Sequence, residues 1–155
     1  TGGIGREVNP ALRAAALLLL LPLAACDGGD GPAPLDTKNE ACAWCRMSVS
    51  DARFAAQLTA PGREPKFFDD LGCLRDWLKA SRESAPWTAW AADHRTKEWS
   101  RLANAVVARS AAVQTPMSSG LLAWASAASR DADPDALGAK DVPASELLGP
   151  AGGER

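Results

Sequence analysis

The stretch KFFDDLGCLRDWL, from Lys66 to Leu78, changes from the pattern of a strand to the pattern of a helix and so decides the fold class. Its first residues, Lys66–Phe68, follow a turn signal and predict an extended segment. Asp69 or Asp70 can then cap a helix by accepting backbone N–H groups, which we favour over a pair of catalytic carboxylates. The apolar residues that follow recur at helical spacing, at Leu71, Leu74, Trp77 and Leu78.

A second strand is predicted immediately upstream of this stretch. Residues 53–59, RFAAQLT, place Phe54, Ala56 and Leu58 at alternate positions, as in a strand with one buried face. The helix should end before Pro86, because a residue that precedes proline disfavours the helical conformation. Residues 41–85 therefore form a first predicted module with the order strand, strand, helix.

Residues 86–148 form a second predicted module. Its predicted elements are, in chain order, a strand at 88–93, a short helix or strand at 98–109, a strand at 121–126, a helix at 130–138 and a strand at 142–148.

The two predicted modules share a short sequence similarity. Met47 and Met117 each lie seven residues before an aromatic–Ala pair, which is Phe54-Ala55 in one module and Trp124-Ala125 in the other. The sequence thus predicts an α+β fold with two small, similar modules. Such a pseudo-symmetric pair would bring the two methionine sulfurs together.

The N-terminal residues 1–25 have the order of a bacterial signal peptide. Arg6 and Arg13 supply a positive flank, and an apolar run that ends in small residues follows. The segment Leu23-Ala24-Ala25-Cys26 looks like a lipobox, in which the Cys26 sulfur takes a diacylglycerol. Acyl chains hold a protein at a membrane because each buried CH₂ contributes about 0.8 kcal/mol. We therefore expect a lipid-anchored protein on the periplasmic side of a bacterial membrane, with no preference between the inner and the outer membrane.

Composition sets the limits of the remaining chain. Residues 26–40 are rich in Gly, Pro and acidic residues and predict a flexible tether after the lipidated Cys26, and residues 149–155 predict a disordered tail. The formal net charge of −2 gives no indication of a nucleic-acid partner, and a cation is the better match. Signatures of a nucleophile elbow, a phosphate loop or a catalytic triad are lacking in the sequence, so we do not expect an enzyme.

The motif CAWCRM, Cys42 to Met47, combines two thiols and a thioether. Thiolate and thioether sulfurs are soft donors, and they select Cu(I) among the metals available to a protein. One thiolate with two thioethers would make a neutral site with Cu(I), which lowers the cost of partial burial. A methionine more often fills a gap in the core, but the Cys-x-Met pairing in an exported chain favours a metal ligand.

Zinc is an alternative, because Cys42, Cys45, Cys73 and His94 make up a Cys₃His set. Cys-x-x-Cys is one half of many zinc sites, although the sequence has no second close pair. We interpret Cys73 as a core residue, since it lies in the apolar stripe of the predicted helix. His94 lies in a polar turn, and we interpret it as a surface residue.

A disulfide between Cys42 and Cys45 is the other alternative, since an oxidising compartment preserves disulfides. The chain would then be a structural or interaction lipoprotein with both methionines in its core. A thioredoxin-like redox site is disfavoured, because that motif begins a helix after a buried strand, whereas CAWCRM follows a polar tether.

The order of these motifs resembles that of the NosL-type lipoproteins, which are accessory proteins of nitrous oxide reductase assembly. The resemblance covers about residues 40–148, and the chain departs from the family at Arg46 and Ser118, where the family has Gly. The matching segments are CAWCRM with the family's Cys-Gly-Met region, FAAQL (54–58) and KFFDDLGCL (66–74) with its first module, residues 93–109 with its middle block, and TPMSSGLLAWAS (115–126) with its Thr-Pro-Met-Gly-Ser-Gly-Leu block.

The resemblance implies a membrane-anchored metallochaperone that binds Cu(I) and delivers copper for maturation of nitrous oxide reductase. It implies two small α+β modules similar to the fold of the mercury lyase MerB. The ligands that it assigns are Cys45, Met47 and Met117. Cys42 is either a fourth ligand or half of a disulfide that blocks Cys45 until it is reduced. Arg46 adds a positive charge beside the metal, which either disfavours binding or pairs with a carboxylate of a partner.

Overall fold

The computed structural model describes residues 2–3, 31–83 and 85–149. The predicted signal peptide, Cys26, the first part of the tether and all of the predicted tail except Gly149 lie outside the described residues. The described chain is mixed α+β, with two small antiparallel sheets and a few short helices, so the α+β part of the predicted fold is confirmed.

The described elements are short. The strands are β1 (Ala56–Thr59), β2 (Lys66–Phe68), β3 (Thr88–Ala92), β4 (Trp99–Arg101), β5 (Val106–Arg109), β6 (Leu121–Trp124) and β7 (Lys140–Val142). The α-helices are α1 (Leu71–Ala80), α2 (Ala127–Asp131) and α3 (Ala144–Leu148). Single 3₁₀ turns lie at Ala52–Phe54, Leu102–Asn104 and Pro134–Ala136.

The first sheet has the strand order β2-β1-β3-β4, and every neighbouring pair is antiparallel. In its register Ala56 of β1 stands opposite both Phe68 of β2 and Ala91 of β3. The second sheet has the order β6-β5-β7 and is also antiparallel. The first sheet combines β1 and β2, which precede residue 85 in the chain, with β3 and β4, which follow residue 86. It therefore crosses the boundary between the two predicted modules.

Helix α1 begins where the sequence placed it. Asp70 is the N-cap, and its side chain accepts a hydrogen bond from the backbone N–H of Gly72. The apolar stripe at Leu71 and Leu74 is buried in the main core, and Trp77 packs at its margin. The helix lies against the first sheet and against α3.

Two strand predictions need correction. The strand predicted from residue 53 begins at Ala56, because Asp51 caps the 3₁₀ turn before it. The strand predicted over residues 142–148 is wrong, since β7 ends at Val142 and helix α3 follows. Pro143 cannot donate to a sheet ladder but suits the start of a helix, and the helix buries Leu147 and Leu148.

The described part of the predicted tether contacts the first sheet. The Ala33 backbone N–H donates to Gln57 Oε1 at 2.8 Å, and Gln57 Nε2 donates to the Ala33 carbonyl at 3.1 Å. Gln57 is fully buried on β1, so these bonds satisfy its amide. The composition of the predicted tether gave no sign of this contact. Among the described residues, none of the helices has the length and apolar character that crossing a membrane requires.

Candidate metal centre

The segment Cys42–Met47 forms a closed turn. The Arg46 N–H donates to the Cys42 carbonyl at 3.0 Å, and the Cys42 N–H donates to the Met47 carbonyl at 2.8 Å. Arg46 adopts a left-handed backbone conformation with φ of 69°, which lets the chain reverse. The turn is fastened to β2, because the Ala43 N–H donates to the Phe67 carbonyl at 2.8 Å.

Two side chains of this turn and two from the segment that follows β2 come together in a group that can bind a metal. One ligand atom from each of Cys42, Cys45, Asp69 and Cys73 lies within 4.8 Å of the others. Asp69 comes from the connection between β2 and α1, and Cys73 comes from the first turn of α1. Cys42, Asp69 and Cys73 are buried, whereas Cys45 is partly exposed. We call these four residues the thiol cluster.

The thiols of the cluster are free and meet at one carboxylate. The Cys45 thiol donates to the two oxygens of Asp69 at 3.4 and 3.5 Å. The sulfurs of Cys42 and Cys73 lie within 4.8 Å of an oxygen of the same carboxylate. The buried Asp69 carboxylate is therefore surrounded by the three cysteines and accepts a hydrogen bond from Cys45.

Burial raises the pKa of the Cys42 thiol to about 11. Burial and the neighbouring Asp69 carboxylate also raise the pKa of the Cys73 thiol. Without a metal these two thiols are neutral at pH 7. A metal that binds them as thiolates must displace their protons.

Both methionines of the sequence lie at the surface. The exposed fraction is 54% for Met47 and 43% for Met117, and Trp44, between the two cysteines of the turn, is 44% exposed. The alternative in which both methionines fill the core is therefore wrong. Each thioether is open to an ion or a partner that arrives from solvent.

The loop that carries Met117 is fixed to the start of α1. Asp70 Oδ2 accepts hydrogen bonds from Thr115 Oγ1 at 2.7 Å and from the Met117 N–H at 3.0 Å. Gly72 allows the loop to approach, because a Cβ atom at this position would lie 2.8 Å from Ser119 Cβ. The consecutive residues Asp69 and Asp70 thus contact the Cys45 turn and the Met117 loop, respectively. The three predicted ligands Cys45, Met47 and Met117 belong to two segments that meet at one end of α1.

His94 lies apart from the thiol cluster and is buried, so the prediction of a surface residue is wrong. Its Nε2 atom lies 3.0 Å from Asp135 Oδ2, and its ring packs against Phe54 and Trp124. With Asp133 and Asp135 it forms a separate group whose ligand atoms lie within 4.8 Å of one another. The structure therefore does not assemble the Cys₃His set.

Asp69, and not His94, is the fourth residue that lies with the three cysteines. The sequence had indicated Asp69 only as an alternative helix cap. The sequence signalled only that one of the two adjacent carboxylates is not needed as the N-cap, because a helix has one N-cap. Asp70 caps the helix, which leaves Asp69 free to face the thiols.

Comparison of the chain with models of protein families, with curated proteins and with solved structures gave no match in any of the three searches.

Proposed function

We propose that this protein binds Cu(I) at a partly exposed sulfur site and transfers it to an acceptor protein. The observation that carries the proposal is the position of the softest donors in the described chain. The Cys45 thiol is partly exposed in a turn that also presents the exposed thioether of Met47, and the exposed Met117 lies on the loop fixed beside the same helix end.

The donor types support copper. Thiolate and thioether sulfurs prefer Cu(I), whereas zinc sites use cysteine, histidine and carboxylate and rarely a thioether. A surface methionine loses the burial that normally stabilises this side chain. A requirement to bind a soft cation accounts for two exposed methionines near a partly exposed thiol.

Exposure of the ligands supports transfer rather than storage. A sulfur or imidazole ligand of an acceptor can approach Cys45, Met47 and Met117 from solvent and replace them one at a time. The copper ion stays in the +1 state throughout the exchange. Metal transfer of this kind requires no catalytic residue, which agrees with the expectation that the protein is not an enzyme.

The resemblance to NosL-type lipoproteins supplies the biological part of the proposal. The acceptor would be nitrous oxide reductase or its assembly machinery, and a lipid on Cys26 would anchor the protein on the periplasmic side of a membrane. The two-module, MerB-like arrangement belongs to the same proposal. The strand–strand–helix order of β1, β2 and α1 supports it for the first module.

The test is a competition titration of the purified full chain with Cu(I) and a Cu(I) chelator under reducing, anaerobic conditions. We expect one tight site per chain. Cys45→Ser should weaken binding by at least about tenfold, since even residues that only support a metal ligand contribute factors of about 10 to 100.

Two control variants distinguish the loss of this site from a general effect of substitution. Asp135→Asn alters the group around His94, and Leu137→Ala removes an exposed apolar side chain that lies far along the chain from Cys45. Both should keep the affinity of the wild type. Wild-type affinity in Cys45→Ser would rule out the proposed ligand assignment.

A closed zinc site is the second candidate, now with Asp69 in the place of His94. Three thiols and a carboxylate within 4.8 Å favour it, because zinc accepts a tetrahedral set of cysteine and carboxylate ligands. Zinc that copurifies at one equivalent and resists replacement by Cu(I) would favour this candidate. The remaining alternative, a Cys42–Cys45 disulfide, predicts that mass spectrometry without reductant finds the chain two hydrogens lighter.

A further inference from the structure

We propose that the thiol cluster provides a second, inner position for Cu(I), which shares Cys45 with the outer position of Cys45, Met47 and Met117. This inference rests on the proposed function, since both positions hold the same cargo. In the inner position Cys42 and Cys45 bind the ion as thiolates, and Cys73 supplies a third sulfur on the buried side.

Cys42 brings a buried sulfur into the cluster. Its side chain is completely buried, and its sulfur lies within 4.8 Å of the ligand atoms of Cys45, Asp69 and Cys73. The closed turn holds Cys42 and Cys45 on one short segment, because the Arg46 N–H donates to the Cys42 carbonyl at 3.0 Å. A soft cation such as Cu(I) prefers such a group of sulfurs and replaces the thiol protons when it binds.

The rest of the cluster encloses the same space. Cys73 enters from α1 with 2% of its surface exposed, and Asp69 enters from the preceding connection with the same exposed fraction. Their ligand atoms and those of Cys42 and Cys45 lie within 4.8 Å of one another, close enough for one ion to contact several sulfurs. Only Cys45 of the four is partly exposed, so the path from solvent to the inner position passes this residue.

The shared cysteine gives the two positions different tasks. A copper ion at the outer position is open to exchange, whereas an ion at the inner position is protected from solvent and from adventitious ligands. Movement inwards replaces the Met47 and Met117 thioethers by the Cys42 thiolate and the Cys73 sulfur, while Cys45 stays bound. In this step the Cys42 proton moves to the neighbouring Asp69 carboxylate, so the net charge of the buried cluster does not change. Cys45 has already released its proton on first binding, and copper is neither oxidised nor reduced.

The experiment compares Cu(I) affinity and the rate of Cu(I) transfer to a chelator in four forms of the full chain. These are the wild type, Cys42→Ser, Met117→Ala and the double variant. Cys42→Ser should weaken binding by at least about tenfold and accelerate transfer, because the ion then stays at the outer position. Met117→Ala should weaken binding more in the Cys42→Ser background than in the wild type, since only there is the outer position the resting place of the ion.

Several outcomes would overturn the inner position and leave the proposed function intact. One is wild-type affinity and transfer rate in Cys42→Ser. Another is an equal effect of Met117→Ala in both backgrounds, which would show that one position uses all the ligands. Failure of the proposed function is recognised separately, because it requires wild-type affinity in Cys45→Ser.

Folding of the variants is checked independently of copper. Circular dichroism and thermal unfolding of the metal-free proteins should show the wild-type fold. Cys42→Ala is the second variant at this position, because it removes the sulfur without adding a hydroxyl group to a buried site. Both substitutions should give the same increase in transfer rate, and wild-type rates in a folded Cys42→Ala variant would also overturn the inner position.

Discussion

Asp69 is the residue on which the candidate site is centred. Its buried carboxylate accepts a hydrogen bond from the Cys45 thiol and lies within 4.8 Å of the sulfurs of Cys42 and Cys73. Sequence spacing identified Cys42 and Cys45 because they are close in the chain. It could not identify Asp69 as their partner, since that contact depends on how β2 and α1 pack beneath the turn.

Arg46 is the residue of the turn with an unfavourable backbone conformation. A left-handed conformation costs a residue with a Cβ roughly 1–2 kcal/mol, whereas glycine adopts it freely. Arg46→Gly should therefore raise the free energy of unfolding of the metal-free protein by about 0.5–1 kcal/mol, after the larger entropy of glycine in the unfolded chain is included. Chemical denaturation measures the change.

Arg46→Ala is the matched control for this prediction. It removes the same charged side chain but keeps a Cβ, so it should not increase the stability. Equal stabilisation by Ala and Gly would show that the charge of Arg46, and not its backbone conformation, is the destabilising feature.

The N-terminal end of α1 is the element that joins the two halves of the candidate site. Asp70 caps this helix and also accepts hydrogen bonds from Thr115 and from the backbone of Met117. The periodicity of Leu71, Leu74 and Trp77 was sufficient to predict the helix and its cap. The docking of the Met117 loop could not be predicted, because it is a contact between residues 45 or more positions apart that leaves no periodic signal.

Asp70→Ala should destabilise the protein by about 1–3 kcal/mol, because it removes a helix cap and leaves the buried Thr115 hydroxyl without this acceptor. The same variant should slow Cu(I) transfer to a chelator. An ion at the inner position leaves through the outer position, and Asp70→Ala removes the attachment of the Met117 loop that forms part of the outer position. Denaturant unfolding and stopped-flow transfer measure the two effects.

Asp76→Ala, in the same helix, is the control for this experiment. Asp76 is partly exposed and pairs only with its neighbour Arg75 among the contacts described, so its loss should change the stability by less than about 0.5 kcal/mol. If Asp70→Ala behaved like Asp76→Ala, the helix end would not be what positions Met117.

At the scale of the whole molecule, the connection after β3 holds the two sheets together. Asp93 Oδ2 accepts a hydrogen bond from the Ala125 N–H at 2.8 Å, and the His94 N–H donates to the Ala123 carbonyl at 2.8 Å. Asp93 also accepts hydrogen bonds from the backbone of Arg95 and Thr96. The buried Asp93 carboxylate and the His94 backbone N–H thus link the first sheet to the second at this junction.

The stability that Asp93 supplies should depend on pH. Burial acts to raise the pKa of Asp93, but the backbone N–H groups of Ala125 and Thr96 outweigh it, and the pKa is lowered. A carboxyl group with a lower pKa in the folded state stabilises that state above its unfolded pKa of about 3.9, and the stabilisation is lost as the pH falls through the folded value. Asp93→Asn should therefore cost about 1–3 kcal/mol at pH 7.

Unfolding curves between pH 7 and pH 2 test this prediction. The difference between wild type and Asp93→Asn should narrow below about pH 4. Asp131→Asn, at an exposed carboxylate of α2, should change the stability little at any pH. A constant difference across the whole range would mean that the charge of Asp93 has no part in joining the sheets.

The fold class and the position of the candidate metal site differ in how far the sequence could predict them. Composition and periodicity were enough for α+β, for α1 and for β3 and β6, because these elements depend on local patterns. The four-stranded sheet was not predicted, since β3 pairs with β1 across the boundary assigned between the modules. His94 was assigned to the surface from its polar neighbours, whereas long-range packing on Phe54 and Trp124 buries it.

The most direct test of the central claim is X-ray absorption at the copper edge of the full chain loaded anaerobically with one equivalent of Cu(I). The proposed positions all use sulfur, from Cys42, Cys45, Cys73, Met47 and Met117. We therefore predict a copper ion in the +1 state that is coordinated by sulfur alone. Nitrogen or oxygen ligands, as the group of His94, Asp133 and Asp135 would supply, would contradict this claim.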